Sequence, residues 1–237
     1  MRKRSSWASL SFLGILLPLV LLVSCSAETL TVPRSTHFIL DASGSMYGLK
    51  FEAAKGALAA HVRKLAVREE AGLVVLGNRG CDATELKVPL GSADQSGIID
   101  ELETIDVDGP TPLALALRDA GDDLAEVAEG DKTIIVFTDG GETCGGDPCA
   151  EARRLRDEGV TVHLVGFDPV DDLTRMQYDC ITETTGGVYF NLTDPQDIST
   201  LLGSLACETC AIRDVLILGI VTLVLSLAGA ATASTLT

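Results

Sequence analysis

Short apolar runs alternate with amphipathic segments through the middle of the chain, between about residues 34 and 206. The apolar runs, rich in Val and Ile, are Phe38 to Leu40, Leu73 to Leu76, Thr133 to Phe137, Val160 to Phe167 and Val188 to Leu192. Such runs are typical of strands buried on both faces of a parallel sheet. Between them, apolar residues recur at helical spacing in Phe51 to Val67, Ile98 to Ile105, Pro112 to Val127, Cys149 to Glu158, Leu173 to Thr185 and Pro195 to Leu205. The alternation predicts a doubly wound α/β domain with helices on both faces of the sheet.

One further apolar run, Leu86 to Leu90, does not fit the strand-then-helix order. It follows Leu73 to Leu76 after a short Gly-containing turn, which is too little chain for a crossover helix. We therefore expect this run to pair antiparallel at one edge, which makes a mostly parallel six-stranded sheet.

The amino-terminal segment has the pattern of a secretory leader. Basic residues at positions 2–4 precede an apolar run from Leu10 to Val23 that is too short to span a membrane comfortably. Two interpretations of its end stay open. Leu-Val-Ser-Cys, ending at Cys25, resembles a bacterial lipobox in which that cysteine is lipidated, whereas Cys-Ser-Ala fits ordinary cleavage after Ala27. Residues 1–27 are therefore predicted to be a signal peptide.

The carboxyl-terminal segment contains an uncharged run from Val215 to Ala233. In a helix this run nearly spans a hydrocarbon core of about 30 Å. It predicts a C-terminal transmembrane helix, preceded by a Cys-containing juxtamembrane segment at residues 207–214; the alternative is a buried helix of the globular domain. Together with the leader, the run predicts a membrane-anchored protein of the cell envelope whose domain lies on the extracytoplasmic side.

Charge and motifs exclude two classes of function. Lys and Arg total 18 against 34 Asp and Glu, a net charge of −16, and such a surface repels the phosphates of nucleic acid. The chain has no P-loop, no His-Glu-x-x-His and no Gly-x-Ser-x-Gly, and its histidines, at positions 37, 61 and 163, are scattered. We expect a protein that is not an enzyme and does not bind nucleic acid.

Hydroxyl and carboxylate side chains follow the predicted strands. Asp41, Ser43 and Ser45 come directly after the first strand, Asp139 follows the run that ends at Phe137, and Thr111 lies in a loop between two helices. In a sheet of this kind the loops at the carboxyl ends of the strands build the binding site. Two carboxylates and three hydroxyls suit a small hard cation, Mg²⁺ or Mn²⁺.

Each of these residues alone has another explanation. Ser43 and Ser45 can cap the following helix, Thr111 can cap a helix ahead of Pro112, and Asp139 can hold a turn. A shared metal is favoured because independent caps are not expected to reproduce one coordination set. Three further carboxylates near the same rim either modulate the site or are merely solvated: Asp106, Asp108 and Glu142.

The pattern resembles the metal-ion-dependent adhesion site (MIDAS) of von Willebrand factor type A (VWA) domains. That site consists of D-x-S-x-S, a Thr in a later loop and an Asp in a T-D-G motif. The resemblance covers residues 34–206, and the segments 140–149 and 185–190 look like a bacterial branch of the family. It implies that the metal ligands are Asp41, Ser43, Ser45, Thr111 and Asp139.

The resemblance also implies a mode of action. In the family the hydroxyls ligate directly while the carboxylates act mostly through bound waters, which leaves one position open for a carboxylate of a partner. We therefore expect a protein-binding module that recognises an Asp or Glu of another protein. The alternative is an accessory subunit of a membrane transporter or envelope-assembly complex, and a metal-dependent hydrolase is less favoured.

Besides Cys25, the chain carries an even number of cysteines, as expected for disulfides in an oxidising compartment: Cys81, Cys144, Cys149, Cys180, Cys207 and Cys210. Cys207 and Cys210 have redox-motif spacing but not the redox-motif context, so we expect a structural disulfide there, with zinc as the less favoured alternative. Cys144 and Cys149 enclose a Gly-rich loop that their pairing would staple. For the four cysteines from 81 to 180, all three connectivities stay open.

Overall fold

The computed structural model describes residues 34–65, 69–91, 95–128, 130–167 and 170–192. The strands are β1 (Arg34–Asp41), β2 (Glu70–Leu76), β3 (Glu85–Val88), β4 (Asp131–Thr138), β5 (Val160–Phe167) and β6 (Tyr189–Leu192). The helices are a 3₁₀ turn (Gly44–Met46), α1 (Leu49–Val62), α2 (Gln95–Leu102), α3 (Leu113–Ala125), α4 (Pro148–Asp157) and α5 (Asp172–Thr185).

The strands form one sheet in the order β3-β2-β1-β4-β5-β6. Every neighbouring pair is parallel except β2 and β3, which are antiparallel. The predicted mostly parallel sheet with one antiparallel edge strand is therefore confirmed. Successive strands are added on one side of β1 and then, from β4 onward, on the other, so the carboxyl ends of β1 and β4 meet where the winding reverses.

Helices cover both faces of the sheet, so the central strand β1 is buried on both sides. Phe38 and Leu40 of β1 belong to one apolar cluster, which also includes side chains of α1 and α2. Ile39 points to the other cluster, which is built with α3, α4 and α5. All three side chains are fully buried, as the continuous apolar run predicts.

The strand β1 is longer than the apolar run Phe38 to Leu40 because its first residues are polar and yet buried. Ser35 Oγ donates to Glu70 Oε2 at 3.1 Å, and His37 Nε2 lies 2.9 Å from Asp123 Oδ2. Hydrogen bonds to these distant residues offset the cost of burial. Hydrophobicity alone did not reveal the extension.

Several predicted elements end earlier than expected, and the reason is visible for two of them. The helix predicted to reach Val67 ends at Val62, where the amides of Lys64 and Leu65 bond to carbonyls three residues back. This tighter bonding ends the α-helix. The strand predicted to reach Leu90 ends at Val88, since Pro89 has no N–H for the ladder.

Two disulfides cross-link the domain and resolve the open connectivity. Cys81 bonds to Cys144 and Cys149 bonds to Cys180, with Cα–Cα distances of 5.3 and 5.9 Å. The pairing of Cys144 with Cys149, one of the three open possibilities, is not the one formed: Cys149 lies in the first turn of α4, which packs on α5 and its Cys180, whereas Cys144 meets the loop before β3.

The remaining expectations concern residues outside the described ranges. These are the leader with Cys25, the helix Pro195 to Leu205, the Cys207 and Cys210 segment, and the uncharged run from Val215 to Ala233. Within the described ranges, no helix has both the length and the apolar character that a bilayer crossing requires.

Candidate metal centre

Asp41 is the last residue of β1, and its side chain is completely buried. Its Oδ1 accepts a hydrogen bond from the Ser43 amide at 2.7 Å, and its Oδ2 accepts one from Thr138 Oγ1 at 2.6 Å. Thr138 is the last residue of β4. The carboxylate is therefore held between the carboxyl ends of the two central strands.

A line of hydrogen bonds continues from the first loop to the end of β4. Ser43 Oγ lies 3.1 Å from Ser45 Oγ, and Ser45 Oγ donates to Asp139 Oδ1 at 2.7 Å. The other carboxylate oxygen of Asp139 pairs with the ammonium group of Lys50, at the start of α1. The structure thus brings Asp41, Ser43, Ser45 and Asp139 together in one cluster.

Thr111 reaches the same place from a third loop. Together with Ser45 and Asp139 it lines a cavity of about 480 Å³. Its backbone is held by Thr143, whose Oγ1 accepts from the Thr111 amide at 2.7 Å and whose amide donates to the Thr111 carbonyl at 3.1 Å. The structure therefore brings Ser45, Thr111 and Asp139 to one cavity, and hydrogen bonds join Asp41 and Ser43 to the same cluster.

The loops behind the cluster pack backbone against backbone. The Gly44 amide donates to the Gly109 carbonyl at 3.0 Å. Gly77, directly after β2, has a φ of +106°, and a Cβ there would lie 2.5 Å from the Ser43 amide nitrogen. Only glycine fits this approach. Sequence reasoning missed Gly77, although a glycine directly after the strand β2, beside β1, was the available signal.

Burial raises the pKa of Asp41 from 3.8 to about 6, although the hydrogen bonds from Thr138 and Ser43 lower it in part. The nearby charge of Asp139 raises the pKa of Asp41 further. An ionised carboxylate in such surroundings is stabilised by a cation.

The capping explanation does not account for the hydroxyls. The residues at the N-cap of α1 and α3 are Gly48 and Pro112, neither of which makes a side-chain cap bond. Ser43 precedes the 3₁₀ turn without capping it. After β4 the turn is held by Thr138, whose Oγ1 accepts from the Gly140 amide at 3.2 Å, rather than by Asp139.

Glu142 has a structural task at the rim. Its carboxylate accepts hydrogen bonds from the Ala114 amide at 2.8 Å and the Cys144 amide at 2.6 Å, which ties the loop after β4 to the start of α3. Asp108, an exposed residue, accepts from the Gly109 amide at 2.8 Å, and Asp106 is exposed.

The donor set fits a small hard cation. It offers oxygen alone, from two carboxylates and three hydroxyls, and Mg²⁺ and Mn²⁺ prefer such ligands. The described residues contain no group of three or more His, Cys, Asp or Glu side chains placed to hold a metal. A cation bound here would need the hydroxyls as ligands as well as Asp41 and Asp139.

Comparison with known proteins agrees with this architecture. Residues 37–203 match the von Willebrand factor type A domain family. The uncharacterized protein YwmC of Bacillus subtilis (strain 168) is 30% identical over 185 residues, which cover 71% of this chain and 81% of YwmC.

Solved structures share the fold at lower identity. An aerotolerance-related membrane protein from Bacteroides fragilis superposes with a TM-score of 0.60 at 19% identity, covering 72% of this chain and 97% of its own. Proximal thread matrix protein 1 of the mussel byssus, with zinc in its MIDAS motif, gives 0.62 at 20% identity, covering 83% and 52%.

Proposed function

This chain belongs to the von Willebrand factor type A domain family, and on that premise we propose that it is a protein-binding module whose site holds Mg²⁺ or Mn²⁺ and takes an Asp or Glu carboxylate from a partner. Domains of this family generally mediate protein–protein interactions and are not enzymes. The observation that carries the proposal is the hydrogen-bonded line from Asp41 to Asp139, which joins the two central strand ends beside the cavity.

The protein's own residues prepare the site for a cation. Thr138 and the Ser43 amide hold the Asp41 carboxylate in place, and Gly77 and Gly109 let the supporting loops approach closely. When bound, the ion supplies an electron-poor centre with a coordination position left for an external carboxylate. The cavity next to Ser45 and Asp139 is large enough for an acidic side chain.

Exposed apolar side chains lie on the elements that carry the residues of this cavity. Tyr47 directly follows the 3₁₀ turn that contains Ser45, Leu49 is the first residue of α1, and the two are 81% and 89% exposed. Leu173, which lines the cavity from α5, is 74% exposed, and Met176 on the same helix is 67% exposed. Large apolar groups around a central polar contact are typical of protein interfaces. The partner we propose therefore presents its carboxylate among apolar residues.

The proposed location is the cell envelope, with the domain on the extracytoplasmic side of a membrane. Support comes from the leader-like residues 1–27 and the uncharged run from Val215 to Ala233. The two disulfides, Cys81 with Cys144 and Cys149 with Cys180, fit an oxidising compartment.

Calorimetric titration of Mg²⁺ and Mn²⁺ into the protein tests the proposal. Saturable binding is expected for the parent and for Asp108→Ala, a control at an exposed rim carboxylate, and is expected to be lost in Asp41→Ala and Asp139→Ala. If the heat is too small to fit, the titration is repeated with an acidic peptide present to supply the last ligand. Binding that survives both substitutions, or that is absent even with the peptide, would refute the proposal.

A further inference from the structure

The first turn of α1 carries a lysine beside the candidate metal centre. Lys50 is the second residue of the helix, and its ammonium group contacts Asp139 Oδ2. A positive charge at a helix N-terminus is unfavourable, because the helix dipole is positive there. The position therefore needs a compensating partner, and Asp139 is one such partner.

The pair is asymmetric in its burial. The Asp139 side chain is 2% exposed, whereas that of Lys50 is 31% exposed. A buried carboxylate without a cation is costly, while a lysine at the surface can turn into water at little cost. Asp139 therefore depends on Lys50 more than Lys50 depends on Asp139.

Both oxygens of Asp139 are engaged within the cluster. Ser45 Oγ donates a hydrogen bond to Oδ1, and the ammonium group of Lys50 donates one to Oδ2. Asp41, the other carboxylate, is held by the Ser43 amide and by the hydroxyl of Thr138, both of them neutral donors. A divalent ion that uses Asp139 therefore competes with Ser45 for Oδ1 or with Lys50 for Oδ2, and in either case the ammonium group of Lys50 lies beside the same carboxylate.

We propose that Lys50 sets the cation affinity of the site by competing with the divalent ion for Asp139. This inference rests on the proposed function. Lys50 is a positioning residue: its ammonium balances the charge of Asp139 until the divalent ion takes that role. It also repels the ion and keeps its binding weak until a partner carboxylate adds a ligand.

The test uses the full chain, purified in detergent, and its variant Lys50→Met. Lys55→Met is the matched control, because Lys55 lies on the same helix and pairs with Glu52 at 3.1 Å. Two quantities are measured: the Mg²⁺ dissociation constant by calorimetry, and the melting temperature in EDTA and in saturating Mg²⁺.

Lys50→Met is expected to bind Mg²⁺ about tenfold more tightly or better, since a unit charge next to the ion is removed. It is also expected to melt at a lower temperature than the parent in EDTA and to gain more on addition of Mg²⁺. Lys55→Met should bind Mg²⁺ as the parent does. If Lys50→Met does not fold, Lys50→Gln keeps a hydrogen bond to Asp139 without the charge and is expected to tighten binding likewise.

Failure of this inference is distinct from failure of the proposed function. Equal or weaker Mg²⁺ binding by the Lys50 variants, alongside binding by the parent, overturns the competition and leaves the metal site standing. Absence of Mg²⁺ binding in the parent and in the variants, with acidic peptide present, overturns both.

Discussion

Replacing Asp41 with asparagine should stabilise the metal-free domain while abolishing its cation binding. Asp41 is fully buried, and burial raises its pKa from 3.8 to about 6. The folded state therefore holds the ionised form less well than the unfolded chain does. Asparagine carries no charge, so the substitution removes the free-energy cost of burying the ionised carboxylate. If the carboxylate instead stabilised the fold, the same substitution would destabilise the domain.

The shift in pKa sets the size of the effect. One pKa unit corresponds to about 1.4 kcal/mol, so a rise of about two units corresponds to roughly 3 kcal/mol at neutral pH. We take 3 kcal/mol as an upper limit, because the asparagine must keep the hydrogen bonds of the aspartate.

The residues around position 41 allow an asparagine to keep the hydrogen bonds of the aspartate. The side-chain oxygen can accept from the Ser43 amide, and the new NH₂ can donate to Thr138 Oγ1, whose own proton can turn to the Gly140 carbonyl at 3.0 Å.

The pH dependence identifies the cause. Below pH 3.8 Asp41 is protonated in both states and costs nothing. Between pH 3.8 and about 6 the unfolded chain loses this proton before the folded domain does, so the contribution of Asp41 to stability falls as pH rises. Above pH 6 it is constant. The difference in unfolding free energy between Asp41→Asn and the parent should therefore grow from pH 4 to pH 6 and then level off.

Urea unfolding in EDTA, followed by circular dichroism with the disulfides intact, measures this difference. Asp123→Asn is the matched control: its hydrogen bond with His37 lowers the pKa of Asp123, so this substitution should destabilise above the normal carboxyl range. An Asp41→Asn variant less stable than the parent at pH 7.5, or a difference without pH dependence, would refute the reasoning. Added Mg²⁺ should stabilise the parent and Asp123→Asn, which keeps the site, but not Asp41→Asn.

Two further predictions concern the framework behind the site. Gly77→Ala should cost about 2 kcal/mol or more in urea unfolding, because a Cβ there would meet the Ser43 amide at 2.5 Å at a φ of +106°. Gly80→Ala, also at positive φ but with open space around it, should cost only about 1 kcal/mol, and equal costs would contradict the packing argument. Loss of the disulfide in Cys81→Ser/Cys144→Ser should lower stability by about 4 kcal/mol, from the closure of a loop with a sequence separation of 63. A loss below about 1 kcal/mol would show that the unfolded chain gains little freedom.

Local patterns in the sequence were enough for the sheet. The runs around β4 and β5 are continuous and apolar because these strands are buried on both faces, and the short link to β3 leaves only an antiparallel pairing. The start of β1 escaped this reasoning. His37 is buried through its contact with Asp123, a partner that no local pattern reveals.

The residues of the candidate site also fall into two groups, those that local sequence predicts and those that only the structure reveals. Asp41 and Asp139 could be placed from their positions directly after strands, because strand ends meet at one edge of a parallel sheet. Lys50, Thr138 and Gly77 matter through neighbours far along the chain, and sequence spacing does not report such contacts. The disulfide connectivity stayed open for the same reason: Cys81 and Cys144 are 63 residues apart in sequence, and spacing does not reveal that they meet.

The distance between the two ends of the parallel strands has a practical consequence for engineering. The candidate site lies at the carboxyl ends of β1 and β4, whereas the turn before β5 lies at the amino ends of the strands. In that turn Gly159 has a φ of +75° with open space around it. A fluorescent reporter or a purification tag grafted there would be held far from the cavity, so binding could be followed without altering the surface that performs it.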